Sequence, residues 1–257
     1  ILNPAFPEEE FLREKEVVKE EALQYMQSEN WRRHYFLSEQ LSKGRMKYPL
    51  VGTSEDIASF TIEHIWNYYR EFCTRERMIV GMSSNLEDDK AKKIMAKYFG
   101  NPDDIVSFEH ITWDNQGVGP NRLEFNWPTL EQVEFEMSWR SIKIREFQHT
   151  PTSRMLFTIL GSGMDSRLWE NVREKHGLCY GIHAYAQAYI DSGSAIISAS
   201  TREDNIPLLR ELIEAEITKL KTELVSEEEM ERARNKYRMS TYAKNEGSQA
   251  TLRSILH

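Results

Sequence analysis

The opening helix constrains this chain more than any other stretch. Pro7 at a first helical position, with Glu8, Glu9 and Glu10 in the turn where the helix dipole favours acids, predicts a firm start. The pattern runs to about Leu41 and is closed by Lys43-Gly44-Arg45. Glu14 and Glu21 lie seven residues apart. Seven steps total about 700°, so the two carboxylates project within roughly 20° of each other, about 10 Å apart along the axis. Phe11, Val17, Val18 and Tyr25 fall on that side, and Arg13, Glu16, Lys19 and Glu20 on the other. A surface helix ordinarily keeps its charges opposite its apolar stripe. Two acids within the stripe cost free energy unless a metal, an arginine or a donor network meets them.

Composition narrows the remaining possibilities. The chain of 257 residues is long enough for a substantial core, and with 40% hydrophobic and 29% charged residues it reads as globular. A net charge of -8 without a Lys/Arg-rich run argues against nucleic acid as a partner. No apolar run approaches the roughly 20 residues of a membrane span, so a soluble protein is expected, in a compartment left open. Cys73 and Cys179 form neither a metal pair nor a disulfide framework and are expected as small buried hydrophobes. The chain opens at Ile1 in loop-like sequence and stops at His257; it is expected to be a fragment.

Along the chain, Gly52-Thr53-Ser54-Glu55 caps a short helix and Thr61 another through about Phe72. Met78 to Met82 reads as a short buried strand and Leu86 to Phe99 as an amphipathic helix. Gly100 to Pro128, rich in Asn, Asp, Gly and Pro, reads as a linker or insertion. Val133, Phe135, Met137 and Trp139 alternate as a half-buried strand. A helix follows Pro151 to about Leu160, and Asp165 is expected to cap another to Lys175. Leu178 to Tyr189 and Ser194 to Ser200 are predicted strands joined by Asp191-Ser192-Gly193. Helices from Glu203 to Glu223 and from Ser226, with Glu229 in capping-box register, complete the pattern. Strands and helices come in blocks, which predicts an α+β fold.

Two motifs carry a resemblance. The run Phe11-Leu12-Arg13-Glu14-Lys15-Glu16-Val17-Val18-Lys19-Glu20-Glu21 resembles the ligand helix of the pitrilysin family. Tyr48-Pro49-Leu50-Val51-Gly52-Thr53-Ser54-Glu55 is similar to the family's segment C-terminal to that helix. This zinc metallopeptidase family includes insulin-degrading enzyme and the mitochondrial processing peptidase. Further on, Ile159-Leu160-Gly161-Ser162-Gly163-Met164-Asp165-Ser166-Arg167-Leu168-Trp169 is similar to its glycine-rich turn. It runs into Val172-Arg173-Glu174-Lys175-His176-Gly177-Leu178-Cys179-Tyr180. The resemblance implies pitrilysin-type domains with a sheet covered by long helices. Residues 1–100 would be the C-terminal part of the zinc-ligand domain, 101–128 an irregular insertion, and 129–257 a second homologous domain, truncated at its C-terminus.

By motif position the resemblance makes Glu21 the third zinc ligand, beside two histidines of an inverted HxxEH motif, and Glu14 an accessory acid in the shell around it. On helix geometry alone, both acids could equally pair with a core arginine or histidine. Arg173 and Tyr180 match an Arg/Tyr pair that faces the cleft, where a phenol can donate to an oxyanion and a guanidinium can hold peptide carbonyls. Read without the family, Arg173 could be a helix-end cation, and Tyr180 shares strand parity with Leu178, Ile182, Ala184 and Ala186, as a core tyrosine would. Gly161-Ser162-Gly163 lacks the third glycine of a phosphate loop and is not read as one.

The departure from the family is equally specific. The histidines are His34, His64, His110, His149, His176, His183 and His257, and no two have HxxEH or HExxH spacing. His176 and His183, flanking the turn into a strand, are expected to be solvated or hydrogen-bonded. The resemblance places the missing motif, with its general-base glutamate, upstream of Ile1. The expected function is therefore a fragment of a zinc-dependent metalloendopeptidase that hydrolyses peptides between two homologous halves. Zn²⁺ would belong to the parent protein, absent from a fragment inactive by itself, and the partners would be a peptide substrate and a second homologous half or subunit. The alternative is a non-catalytic peptide-binding or assembly subunit of the same family partnering a catalytic one. A purely structural subunit needs neither pair of residues and ranks last.

Overall fold

The computed structural model describes residues 3–41, 47–100, 124, 132–190 and 192–256. The chain divides into two compact units, Ile1–Asn121 with Gly247–His257, and Arg122–Glu246. The expected linker at 101–128 lies outside the described residues except for Glu124, as does the expected helix stop at Lys43-Gly44-Arg45.

In the first unit the expected single opening helix is two, α1 (Glu8–Gln27) and α2 (Glu29–Leu41). Ser28 is extended between them; its N–H donates to the Tyr25 carbonyl, and its own carbonyl accepts from Arg32 N–H in α2. Serine favours this stop-and-restart geometry because it suits the start of a helix. Ala22 is the buried residue of α1, with Phe11, Lys15 and Val18 half-buried at the preceding helical spacings. Lys15 Nζ donates to the carbonyls of Ala58 (2.7 Å) and Phe60 (2.8 Å) at the end of α3 (Ser54–Ser59). That grip turns the Lys15 face inward.

Both short helices start as expected: Thr53 and Asp56 form a capping box on α3, and Thr61 and His64 one on α4 (Ile62–Phe72). Phe6 packs edge-on against Trp66 and Tyr69 of α4. The expected strand at Met78–Met82 is not formed. A 3-10 turn at Arg75–Arg77 leads instead into extended chain with Ile79 79% exposed, since a strand holds only where another pairs with it. The amphipathic helix α5 (Asp88–Phe99) follows and stops at Gly100, whose φ of 93° only glycine adopts without strain.

The second unit holds the core. Strands β1 (Val133–Arg140), β2 (Cys179–Ala188) and β3 (Gly193–Thr201) form one antiparallel sheet in the order β1-β3-β2. Ala195, Ile197, Ala199 and Thr201 of β3 point to one face and are buried, whereas Ser194, Ser198 and Ser200 alternate to the other. On the buried face lie α6 (Thr150–Gly161) and α7 (Ile206–Thr222), and α8 (Glu227–Lys244) packs on α6. Leu160, Leu168, Val172, Leu178, Ile182, Ile197, Leu209 and Ile213 interlock there. Gly161 lets α6 approach β2 closely: a Cβ added to it would lie 2.5 Å from the Ala184 Cβ. The last helix, α9 (Ser248–Leu256), groups with the first unit. The fold is α+β, as expected.

Candidate active site

The strongest local irregularities of the second unit meet at one place. Arg173 sits in a π-helical turn, Trp169–Lys175, where an α-helix capped by Asp165 was expected. Asp165 caps nothing; it pairs with Lys236 and faces Arg232 on α8, which leaves Ser166 to bond the Gly163 carbonyl. The wider turn stacks residues five apart, and such turns are concentrated at functional sites. Accordingly Trp169 Nε1–H donates to Glu174 Oε1 at 3.3 Å. The turn ends at Gly177, with φ of 62°, and the chain reverses into β2.

Tyr180 stands at the second irregularity. In β2 the register slips between Cys179, opposite Thr201, and Ile182, opposite Ala199. Three steps on β2 thus answer two on β3, and the extra residue rotates Tyr180 out of the parity that Leu178 and Ile182 define. Tyr180 is 85% exposed, correcting the core-tyrosine parity. Cys179 instead packs against the core, where burial pushes its thiol above the usual range.

The two residues come together. Arg173 Nε donates to the Tyr180 carbonyl at 2.9 Å, and its guanidinium carbon lies 5.7 Å from the Tyr180 ring centre and 4.4 Å from that of Trp169. Among the described residues, Nε is the Arg173 nitrogen that is engaged, leaving the outer amines open beside an exposed phenol. Beneath them the turn is tied down. His176 Nδ1 lies 2.7 Å from the Asn171 carbonyl, and Asn171 Nδ2 donates to the buried Glu216, which also pairs with Lys219.

Glu14 and Glu21, in the other unit, are both exposed. The inward face of α1 is Phe11–Lys15–Val18–Ala22, and the two acids lie roughly 70–90° round the helix from it. The stripe that includes Val17 and Tyr25 is therefore an exposed flank, with Val17 55% exposed. The expectation of inward-turned acids is corrected: Lys15 holding the end of α3, rather than the acids, sets the helix's rotation. A zinc site needs at least three protein ligands, and among the described residues no group of three His, Cys, Asp or Glu side chains converges. The described residues alone do not fit a complete zinc site. Their donor chemistry fits a contribution of one or two carboxylates to a site finished by other residues.

Sequence reading singled out Arg173 and Tyr180 as candidates, and the structure brings them together; it did not single out Trp169 and Glu174, which lie against them. The available signal was an aromatic four residues before an arginine and five before an acid.

The family described as "Peptidase M16 inactive domain" matches residues 59–237. The chain belongs to the M16 peptidase family. It is 29% identical to an uncharacterized zinc protease of Rickettsia felis over 93% of this chain and 57% of that protein. A zinc protease of Bacillus subtilis is 27% identical over the same shares. Among solved structures, a peptidase M16 inactive domain from Pseudomonas fluorescens shares the fold at a TM-score of 0.75 and 18% identity, covering 95% of this chain and 59% of that one. The chain thus spans a little over half the length of the relatives it matches, and the pitrilysin resemblance of its motifs is borne out.

Proposed function

We propose that this chain is part of a zinc-dependent metalloendopeptidase, in which its second unit supplies substrate contacts to a cleft shared with a homologous half. The observation that carries this reading is the pairing of Arg173 with an exposed Tyr180 on a π-helical turn and a β-bulge. The bulge leaves Tyr180 exposed, and the turn leaves the outer amines of Arg173 open beside it. Among the described residues strand β2 is an edge of the sheet, and an extended peptide can add to such an edge through its backbone. The open amines of Arg173 then hold a peptide carbonyl, and the Tyr180 hydroxyl donates to the oxygen that becomes negative as the carbonyl carbon turns tetrahedral.

On this reading the first unit is the C-terminal part of the zinc-ligand domain. Glu21 is one oxygen ligand and Glu14 an acid that orients the site. Bound zinc would supply Lewis acidity toward the scissile carbonyl. The other ligands and the general base come from residues beyond this chain, so the chain alone is inactive.

The test is peptide cleavage by the full-length protein and by this chain alone, each with and without chelator. Full-length cleavage is expected to be chelator-sensitive, and the chain alone silent. Tyr180→Phe should lower kcat by about 100-fold with KM little changed, the cost of one oxyanion donor. Loss of affinity with unchanged kcat contradicts the assignment. The exposure of Glu14 and Glu21 also suits a second reading, a non-catalytic subunit of the family. A full-length protein that binds peptide yet neither cleaves it nor carries zinc supports that reading.

A further inference from the structure

We propose that Trp169 is a positioning residue that holds the Arg173 guanidinium in its peptide-binding pose, with Glu174 as its anchor; this rests on the reading of Arg173 given above. An arginine side chain left to itself samples many rotamers, and holding one costs entropy. Here two contacts hold it, and a third holds its support. Nε is tied to the Tyr180 carbonyl at 2.9 Å, the Trp169 ring centre lies 4.4 Å from the guanidinium carbon, and Trp169 is itself fixed by its N–H to Glu174 Oε1 at 3.3 Å.

The π-helical turn is what makes this arrangement possible. Its widened spacing stacks Trp169 over Glu174, five residues on, while Arg173, four residues on, still lies over the indole. Stacking occupies the guanidinium's face and leaves its in-plane outer amines free to donate. Trp169 is half-buried, whereas the hydrophobic core proper is formed by its neighbours Leu168 and Val172. Its indole is therefore not needed to fill the core, and it supports Arg173 instead.

The test is the affinity of the full-length, metal-stripped protein for a fluorescein-labelled unstructured peptide of about 20 residues, read by anisotropy. Trp169→Leu and Arg173→Ala should each weaken binding by about tenfold, the size of a partly desolvated cation–π contact. The double variant should be no weaker than Arg173→Ala alone, because Trp169 acts only through Arg173. Trp169→Phe, which keeps a stacking face but loses the N–H donated to Glu174, should cost about threefold, the same as loss of the anchor. Glu174→Ala, an exposed change that leaves the core untouched, should cost about threefold in the wild-type background and nothing beside Arg173→Ala. Additive losses, or a Phe variant as weak as the Leu variant, overturn the role of Trp169 while leaving that of Arg173 standing. An Arg173→Ala protein that binds normally overturns both.

Discussion

A single carboxylate shows how closely residue chemistry is tied to architecture in the second unit. Glu229 completes the capping box of α8 with Ser226 and also accepts two hydrogen bonds from Arg167, at 2.6 and 3.0 Å. The Arg167 guanidinium holds its carboxyl well below the ordinary 4.5, at about 2. Because the folded pKa is the depressed one, the stabilisation is fully present above 4.5 and drains away as pH falls from there towards 2. Glu229→Gln keeps a side chain able to cap but removes the charge. It should cost about 2 kcal/mol at neutral pH and flatten the acid limb of stability. Urea unfolding between pH 7 and pH 3 checks this, and an unchanged slope refutes it.

At the scale of elements, close approach decides where α6 can lie. A side chain at Gly161 meets both the Cβ and the backbone nitrogen of Ala184, at 2.5 and 2.7 Å, so the helix must back away from β2. Gly161→Ala should destabilise the second unit by about 2 kcal/mol, measured by chemical denaturation. Change within experimental error contradicts that packing. Elements defined by their own periodicity were legible in the sequence: the strand alternation of β1, the Thr53, Thr61 and Ser226 caps, and helices α7 and α8 all lie close to where they were expected, whereas α9 was not foreseen. Elements defined by a partner or by an inserted residue were not. The Met78–Met82 segment has strand chemistry but no pairing strand among the described residues. The π-turn and the β2 bulge each shift by one residue what a fixed period extrapolates, and so the exposure of Tyr180 and the company of Trp169 were hidden. The acids of α1 were misplaced for a related reason, since no period reports that Lys15 reaches across to α3.

Over the whole molecule, apolar burial is uneven. Among the described residues, Ala22 and Ile57 are the fully buried side chains of the first unit, which exposes Leu12, Val17, Leu50, Tyr68 and Ile79. The second unit buries a continuous cluster from Leu160 to Ile213. Hydrophobic burial is the main favourable term in folding, so local stability should follow the same division. Hydrogen exchange on this chain should show amides of β3 and α7 protected by orders of magnitude over those of α1 and α4; equal protection contradicts the division. On the proposed function, the first unit should gain protection in the full-length protein. The central claim is that the exposed flank of α1, carrying Glu14 and Glu21, is one wall of a zinc site. Metal analysis of the purified full-length protein tests it most directly: about one zinc per chain is expected, falling to near zero in Glu21→Gln, and zinc content unchanged by that substitution would contradict it.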